Sequence, residues 1–283
     1  MAAVTSSVAL GLAFEVAATM VGTAGKQLVS YSARGERAPR TRRALKVGGL
    51  LATTLVGPIL DMAAYTLAPQ SIVAPLNGLD IVWNTASAPF TLGEKLTKRH
   101  VLGTLLVVLG AGASSTLGPH KDTPESLEWM QNIFFSFRFV AYMSVCLALL
   151  ALGLATMSSR PKSKGGKARG IALGLTAGGI AGQMFFISAA LGLFRSCVQT
   201  GDWSAWSNWL PYAVTLGGVA CAACNIPLMA KGLQEYEALF MVTIFEGCHI
   251  ACACISSAVV LRELDAVGPV NFALYWCCVA LII

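Results

Sequence analysis

Four acidic side chains lie inside long apolar stretches of the sequence: Glu15, Asp61, Asp80 and Glu246. An ionisable group in hydrocarbon is costly, so each marks a candidate functional position. Two of them have polar company at helical spacing. Asn77, Asp80 and Asn84 form one stripe of oxygen donors, and His249 follows Glu246 by three residues on the same helical face. Carboxylates with amide oxygens are ligands for a hard cation, and Mg²⁺ is held by one or two carboxylates while keeping several waters. Imidazole prefers Zn²⁺, Cu²⁺ or Ni²⁺, so His249 reads as a ligand or as a hydrogen-bonded partner of Glu246. Glu15 and Asp61 read equally as proton relays or outer ligands, or as bonds to a neighbouring helix, Asp61 near Tyr65.

These groups need elements to hold them. A spanning helix takes about 20 mainly apolar residues, and nine such runs occur, at 7–29, 45–66, 70–92, 101–117, 133–157, 170–194, 209–230, 236–261 and 266–283. The first has no basic leader and no cleavage site, so it reads as a span and not a removed signal peptide. Fifteen of the twenty Lys and Arg residues fall in four alternate connecting segments, 30–46, 93–100, 158–169 and 231–235. The opposite segments hold only Lys121, Arg195 and Arg262, with acids such as Asp122 and Asp202. Basic loops stay cytoplasmic, which predicts the N-terminus outside and the C-terminus inside. Lys26 and Arg138 fall within spans, where a long side chain can snorkel to a surface.

A shift of 169 positions superposes two parts of the chain. Leu92-Gly93-Glu94 meets Leu261-Arg262-Glu263, Pro58 meets Pro227, Gly78 meets Gly247, and Lys26 meets Arg195. Spans one to four then match spans six to nine, and the fifth inverts the second copy. The expected fold is an all-α polytopic membrane protein of nine transmembrane helices. Residues 1–117 form the first four-helix repeat, 118–169 hold the fifth span and a basic cytoplasmic loop, and 170–283 form the second repeat. Inverted repeats are a transporter architecture with the substrate near the midplane. Under the same shift Asn77 falls on Glu246 and Asp80 on His249. Polar pairs at both equivalent positions favour a shared site over helix–helix glue.

Composition removes other classes. Only 12% of residues are charged, about half the usual share for a soluble domain. The net charge of +6 resides in short loops, so no basic face for nucleic acid is built. Eight of the nine cysteines sit in apolar runs and read as small packing residues. No hydrolase or redox constellation is present, and no cofactor is implied. The partners expected are the lipid bilayer and a divalent cation, with a homodimer left open.

Residues 63–79 read AAYTLAPQSIVAPLNGL, and LGEKL follows at 92–96. This pattern resembles the NIPA family of magnesium transporters, within the drug/metabolite transporter superfamily. Tyr65, Ala68, Pro69, Val73, Pro75, Leu76, Leu92, Glu94, Lys95 and Leu96 carry the likeness. It is close over 45–117 and looser over 220–283. The second-span acid usual in the family falls here at Pro58, Asp61 stands where Asn is expected, and Asp80 replaces a small residue. The resemblance implies Mg²⁺ or a related dication as substrate, moved by alternating access in the plasma or endosomal membrane. An organic-solute carrier of the same superfamily, for nucleotide sugars for instance, is the competing reading; Trp83 is the one large aromatic near the acidic positions.

Overall fold

The computed structural model describes residues 2–34, 38–118, 125–159 and 166–283. Arg37, Lys121, Asp122, Arg160, Lys162 and Lys164, all part of the loop-charge asymmetry, lie outside the described residues. Among the described residues the secondary structure is helical, with no strand.

Helix α1 (Ala2–Ser32) is unbroken. Next, α2 (Pro39–Leu51) runs into α3 (Gly57–Leu67) through a π-helical turn at Ala52–Val56. Pro58 accounts for the turn. It has no N–H to donate and its ring crowds the carbonyl four residues back, so the helix widens locally and does not stop. The stretch expected as span three is instead α4 (Gln70–Val73), a 3-10 turn at Ala74–Gly78 and α5 (Leu79–Thr91). Pro75 lies at the start of that turn, where it cannot supply an α-helical hydrogen bond. The chain continues with α6 (Lys98–Leu117), α7 (Leu127–Phe134), α8 (Phe137–Ser159), α9 (Lys167–Ala181) and α10 (Phe185–Thr200). It closes with α11 (Leu210–Glu235), α12 (Ala238–Val259) and α13 (Pro269–Ile282).

Seven helical stretches are long and apolar enough to cross a bilayer: Ser7–Ser32, Pro39–Leu67, Lys98–Leu117, Phe137–Ser159, Lys167–Thr200, Leu210–Glu235 and Ala238–Val259. Three of the nine expected spans differ, the sixth because it parts into α9 and α10 at residues 182–184. The third is broken at Pro75, and α13 has 14 residues, a rise of about 21 Å against the roughly 30 Å of a hydrocarbon core. The chain is nonetheless an integral, multi-pass membrane protein. Its α8 leaves Val145, Leu147, Leu149 and Leu152 exposed, which suits lipid and not water.

Helices α1 and α12 hold the centre. The first packs on α2, α3 and α5, the second on α9, α5 and the break before α5. Backbone approaches backbone where α1 crosses α2: a Cβ on Gly25 would lie 2.7 Å from the Gly49 carbonyl oxygen, and one on Gly49 2.6 Å from that of Gly25. Only glycine at both positions allows this crossing.

Two glutamates tie the halves at opposite ends. Glu94, following α5, accepts hydrogen bonds from the Ala238 and Leu239 N–H groups at 2.8 Å each. Glu263, following α12, accepts from the Gln70 and Ser71 N–H groups at 3.1 and 2.7 Å. Each satisfies amides that a helix start leaves without partners. Arg34 pairs with Glu94 and donates to the Leu92 carbonyl at 2.9 Å. Burial pushes the Glu263 carboxyl above its ordinary range, against the lowering by its bonds from Ser71 and Gln70.

Candidate functional site

Asp80 lies in the first turn of α5, immediately after the Pro75 break. A carboxylate there gains from the helix dipole. Glu246 is eight residues into α12, about 12 Å along its axis. The two acids converge on one cation, and that cation is Lys26. Its Nζ lies 2.5 Å from Asp80 Oδ2 and also pairs with Glu246 Oε1. The ammonium stands 5.3 Å from the centre of the Phe245 ring, within cation–π range.

The second oxygen of each acid is also engaged. Thr23 Oγ1 donates to Asp80 Oδ1 at 2.5 Å. His249 Nδ1 lies 3.1 Å from Glu246 Oε2, while His249 Nε2 is buried without a hydrogen-bond partner among the described residues. Lys26 is 8% exposed and Glu246 fully buried, so the triad is removed from water.

Lys26 therefore does not snorkel. The lysine has six residues of α1 beyond it, and two buried carboxylates nearer than any surface give its charge better partners than a long reach would. The two acids are compensated by an ammonium and do not face each other bare.

The remaining expected residues divide. Asn77 lines the same cavity as Asp61, Asp80, Glu246 and His249. Asn84 does not; its side-chain oxygen accepts from Gln27 Nε2 at 3.1 Å, bonding α5 to α1. Asp61, on α3, is half-buried at the cavity wall and makes no hydrogen bond to Tyr65 or any other described residue. Glu15 is fully buried, and neither carboxylate oxygen has a hydrogen-bond partner among the described residues. No group of three or more His, Cys, Asp or Glu among the described residues is arranged to hold a metal ion.

Thr23 and Gln27 are neighbours of the site that the sequence reading passes over, and Lys26 figures there only as a snorkelling side chain. Their spacing of i, i+3 and i+4 puts all three on one face of α1, and a lysine inside an apolar run was the available signal.

The cavity measures about 380 Å³; the rest of its wall is mostly apolar, Met184, Met229 and Phe245 among it, with Thr19, Thr53, Thr54, Gln183 and Asn225 adding polar groups. A second recess of about 760 Å³ lies beside Glu263 and Arg195 and shares no lining residue with the first. One cysteine, Cys221, lines the inner cavity, and all nine cysteines of the chain are free of disulfides.

A family model described as the magnesium transporter NIPA matches residues 1–283. The match reaches well beyond 45–117 and 220–283, where the motif likeness was read. Among curated proteins, the probable magnesium transporter NIPA6 of Arabidopsis thaliana is 24% identical over 245 residues, covering 80% of this chain and 68% of that relative. The probable magnesium transporter NIPA2 of the same plant is 35% identical over 98 residues, 35% of this chain and 29% of its own length. The probable magnesium transporter NIPA1 is 32% identical over 100 residues, 35% of this chain and 30% of that relative. No solved structure matches the chain.

Proposed function

The chain belongs to the NIPA family of magnesium transporters, and from that premise we propose that it carries a divalent cation, Mg²⁺ foremost, by alternating access about the Asp80–Glu246 pair. The supporting observation is the convergence of one buried carboxylate from each half of the chain on a single cation position. A site that accepts a compact positive charge between two acids suits a dication better than an anion or a neutral solute. Mg²⁺ dehydrates reluctantly, and water takes about 30 Å³ per molecule in the liquid. The cavity of about 380 Å³ has room for the ion with several waters.

The reciprocal caps by Glu94 and Glu263 support two four-helix units of opposite orientation, 1–117 and 170–283, joined through 118–169. The two separate recesses suit a carrier whose midplane site opens to one side at a time. The basic loops support the N-terminus outside and the C-terminus in the cytoplasm, in the plasma or endosomal membrane.

One observation favours the second reading. A volume of about 380 Å³ with a largely apolar wall falls within the range of small-molecule sites, as an organic-solute carrier would require. Uptake by the purified chain in proteoliposomes separates the two. Mg²⁺ entry reported by an internal dye, lost in Asp80→Asn and Glu246→Gln at unchanged incorporation, is expected. Uptake of nucleotide sugars without Mg²⁺ entry replaces the first reading with the second.

A further inference from the structure

Every carboxylate oxygen of the central pair is occupied in this structure. Asp80 gives one oxygen to Lys26 and one to Thr23, and Glu246 gives one to Lys26 and one to His249. A dication needs anionic oxygens, and the two nearest the pair's midpoint belong to the lysine. We propose that Lys26 is a tethered cation competing with the transported dication for Asp80 and Glu246, and that Asp61 receives its ammonium when the dication loads. This rests on the dication-transport reading above and adds the means by which the site is filled and emptied.

The ammonium cannot be set free in a dry interior; it has to exchange one counter-charge for another. The lysine stem is four carbons long and flexible, and Lys26 and Asp61 line one cavity. Asp61 lies in the electrostatic field of His249, Lys26 and Glu246 yet holds no hydrogen bond or ion pair among the described residues. Glu15 is the other acid nearby. It lies on α1 eleven residues before Lys26, about 16 Å along the helix axis, so it stands beyond the lysine's exchange. The groups facing the ammonium are thus Asp80 on α5, Glu246, His249 and Phe245 on α12, and Asp61 on α3.

The charge count supports the exchange. With Asp61, Asp80 and Glu246 ionised and Lys26 protonated, those four groups sum to −2 when empty. A bound dication brings them to zero, split into a metal–carboxylate pair and a Lys26–Asp61 pair. The loaded cavity then carries no net charge from these groups as the helices rock. When the ion leaves, the returning ammonium spares Asp80 and Glu246 from standing as two bare acids, each of which disfavours the other's charge.

Titration calorimetry of the purified full chain in nanodiscs, with MgCl₂ and separately CoCl₂, tests both halves. An occupied site binds with an affinity reduced by the fraction of time it is free. Lys26→Gln is therefore expected to tighten dication binding about tenfold or more, while net transport falls. Asp61→Asn is expected to weaken binding severalfold with Lys26 present and to have no effect in the Lys26→Gln background, because its action runs through the lysine. Unchanged or weaker binding in a folded Lys26→Gln protein overturns the competition. Equal weakening by Asp61→Asn in both backgrounds makes Asp61 a ligand and overturns its role as acceptor. Should Lys26→Gln not fold, Lys26→Arg keeps a cation that grips both acids more firmly, and a dication affinity equal to wild type overturns the proposal. Absence of dication binding in wild type and all variants removes the transport reading together with this one. Binding that is present but indifferent to position 26 removes this one alone.

Discussion

Glu94 caps the start of α12 and Glu263 caps the start of α4, a reciprocal exchange between carboxylates 169 positions apart. The same shift that aligned their sequences relates their roles. Both sit just past a helix of one half and hold the first turn of a helix in the other. Glu94 in this way joins the end of α5, which carries Asp80, to the start of α12, which carries Glu246, so that cap and the site are mechanically continuous.

Glu94→Gln and Glu263→Gln are each expected to lower thermal stability. A hydrogen bond to a charged group contributes roughly 1.5–3 kcal/mol net, and a glutamine oxygen retains only part of it. A shift of several degrees follows at roughly 2–4 °C per kcal/mol, read by intrinsic fluorescence of the purified chain. Glu94→Gln should cost more, since it also removes the ion pair with Arg34. The double variant should cost the sum, as the sites share no residue. A melting temperature unchanged in both singles would show that the caps are incidental.

His249 and Thr23 orient the central acids from opposite sides, so their removal should act on affinity more than on folding. Thr23→Val deletes the donor to Asp80 Oδ1 and His249→Phe deletes the partner of Glu246 Oε2. Each is expected to change the Mg²⁺ concentration for half-maximal uptake by roughly three- to tenfold, about 0.7–1.4 kcal/mol, with protein incorporation unaltered. Identical half-saturation in both variants would limit the site to Lys26, Asp80 and Glu246.

Much of this arrangement is legible in the sequence because membrane helices follow simple rules. Apolar runs locate helices, Pro75 and Pro58 mark the irregular turns, and acids at helical spacing mark the site. The sequence does not show which way Lys26 points. A lysine six residues from a helix end can reach a surface or a buried acid, and only the convergence of α5 and α12 decides between them. Asn84 is the converse case. It shares a helical stripe with Asp80, yet Gln27 on the neighbouring helix captures it. The third span, read as one continuous helix, differs for another reason: hydropathy records the apolar run but not the 3-10 turn at Ala74–Gly78 that breaks it.

The orientation proposed from the loop charges has a direct check. Arg43 and Asp202 are both exposed, on connections of opposite expected sidedness. Asp202→Cys should react with an impermeant maleimide on intact cells, and Arg43→Cys only after permeabilisation. The reverse pattern inverts the topology. Reaction of both on intact cells removes the parity argument altogether.

The crossing of α1 and α2 sets where Lys26 stands, because Gly25 precedes it directly in the chain. A methyl group on Gly25 would meet the Gly49 carbonyl oxygen at 2.7 Å and Thr53 Cγ2 at 2.7 Å. The carbonyl belongs to a helix backbone and cannot turn aside, so the helices must part. Overpacking of this kind costs roughly 1–3 kcal/mol, and it moves the lysine relative to Asp80 and Glu246. Gly48 is the internal control. It neighbours Gly49 on the same helix, yet a Cβ there meets nothing within 4 Å, and alanine in a helix interior gains about 0.5–1 kcal/mol over glycine. Gly25→Ala is therefore expected to lower both melting temperature and Mg²⁺ uptake, whereas Gly48→Ala keeps uptake and holds or raises the melting temperature. Equal behaviour of the two variants would mean that the backbone contact between α1 and α2 does not position the site.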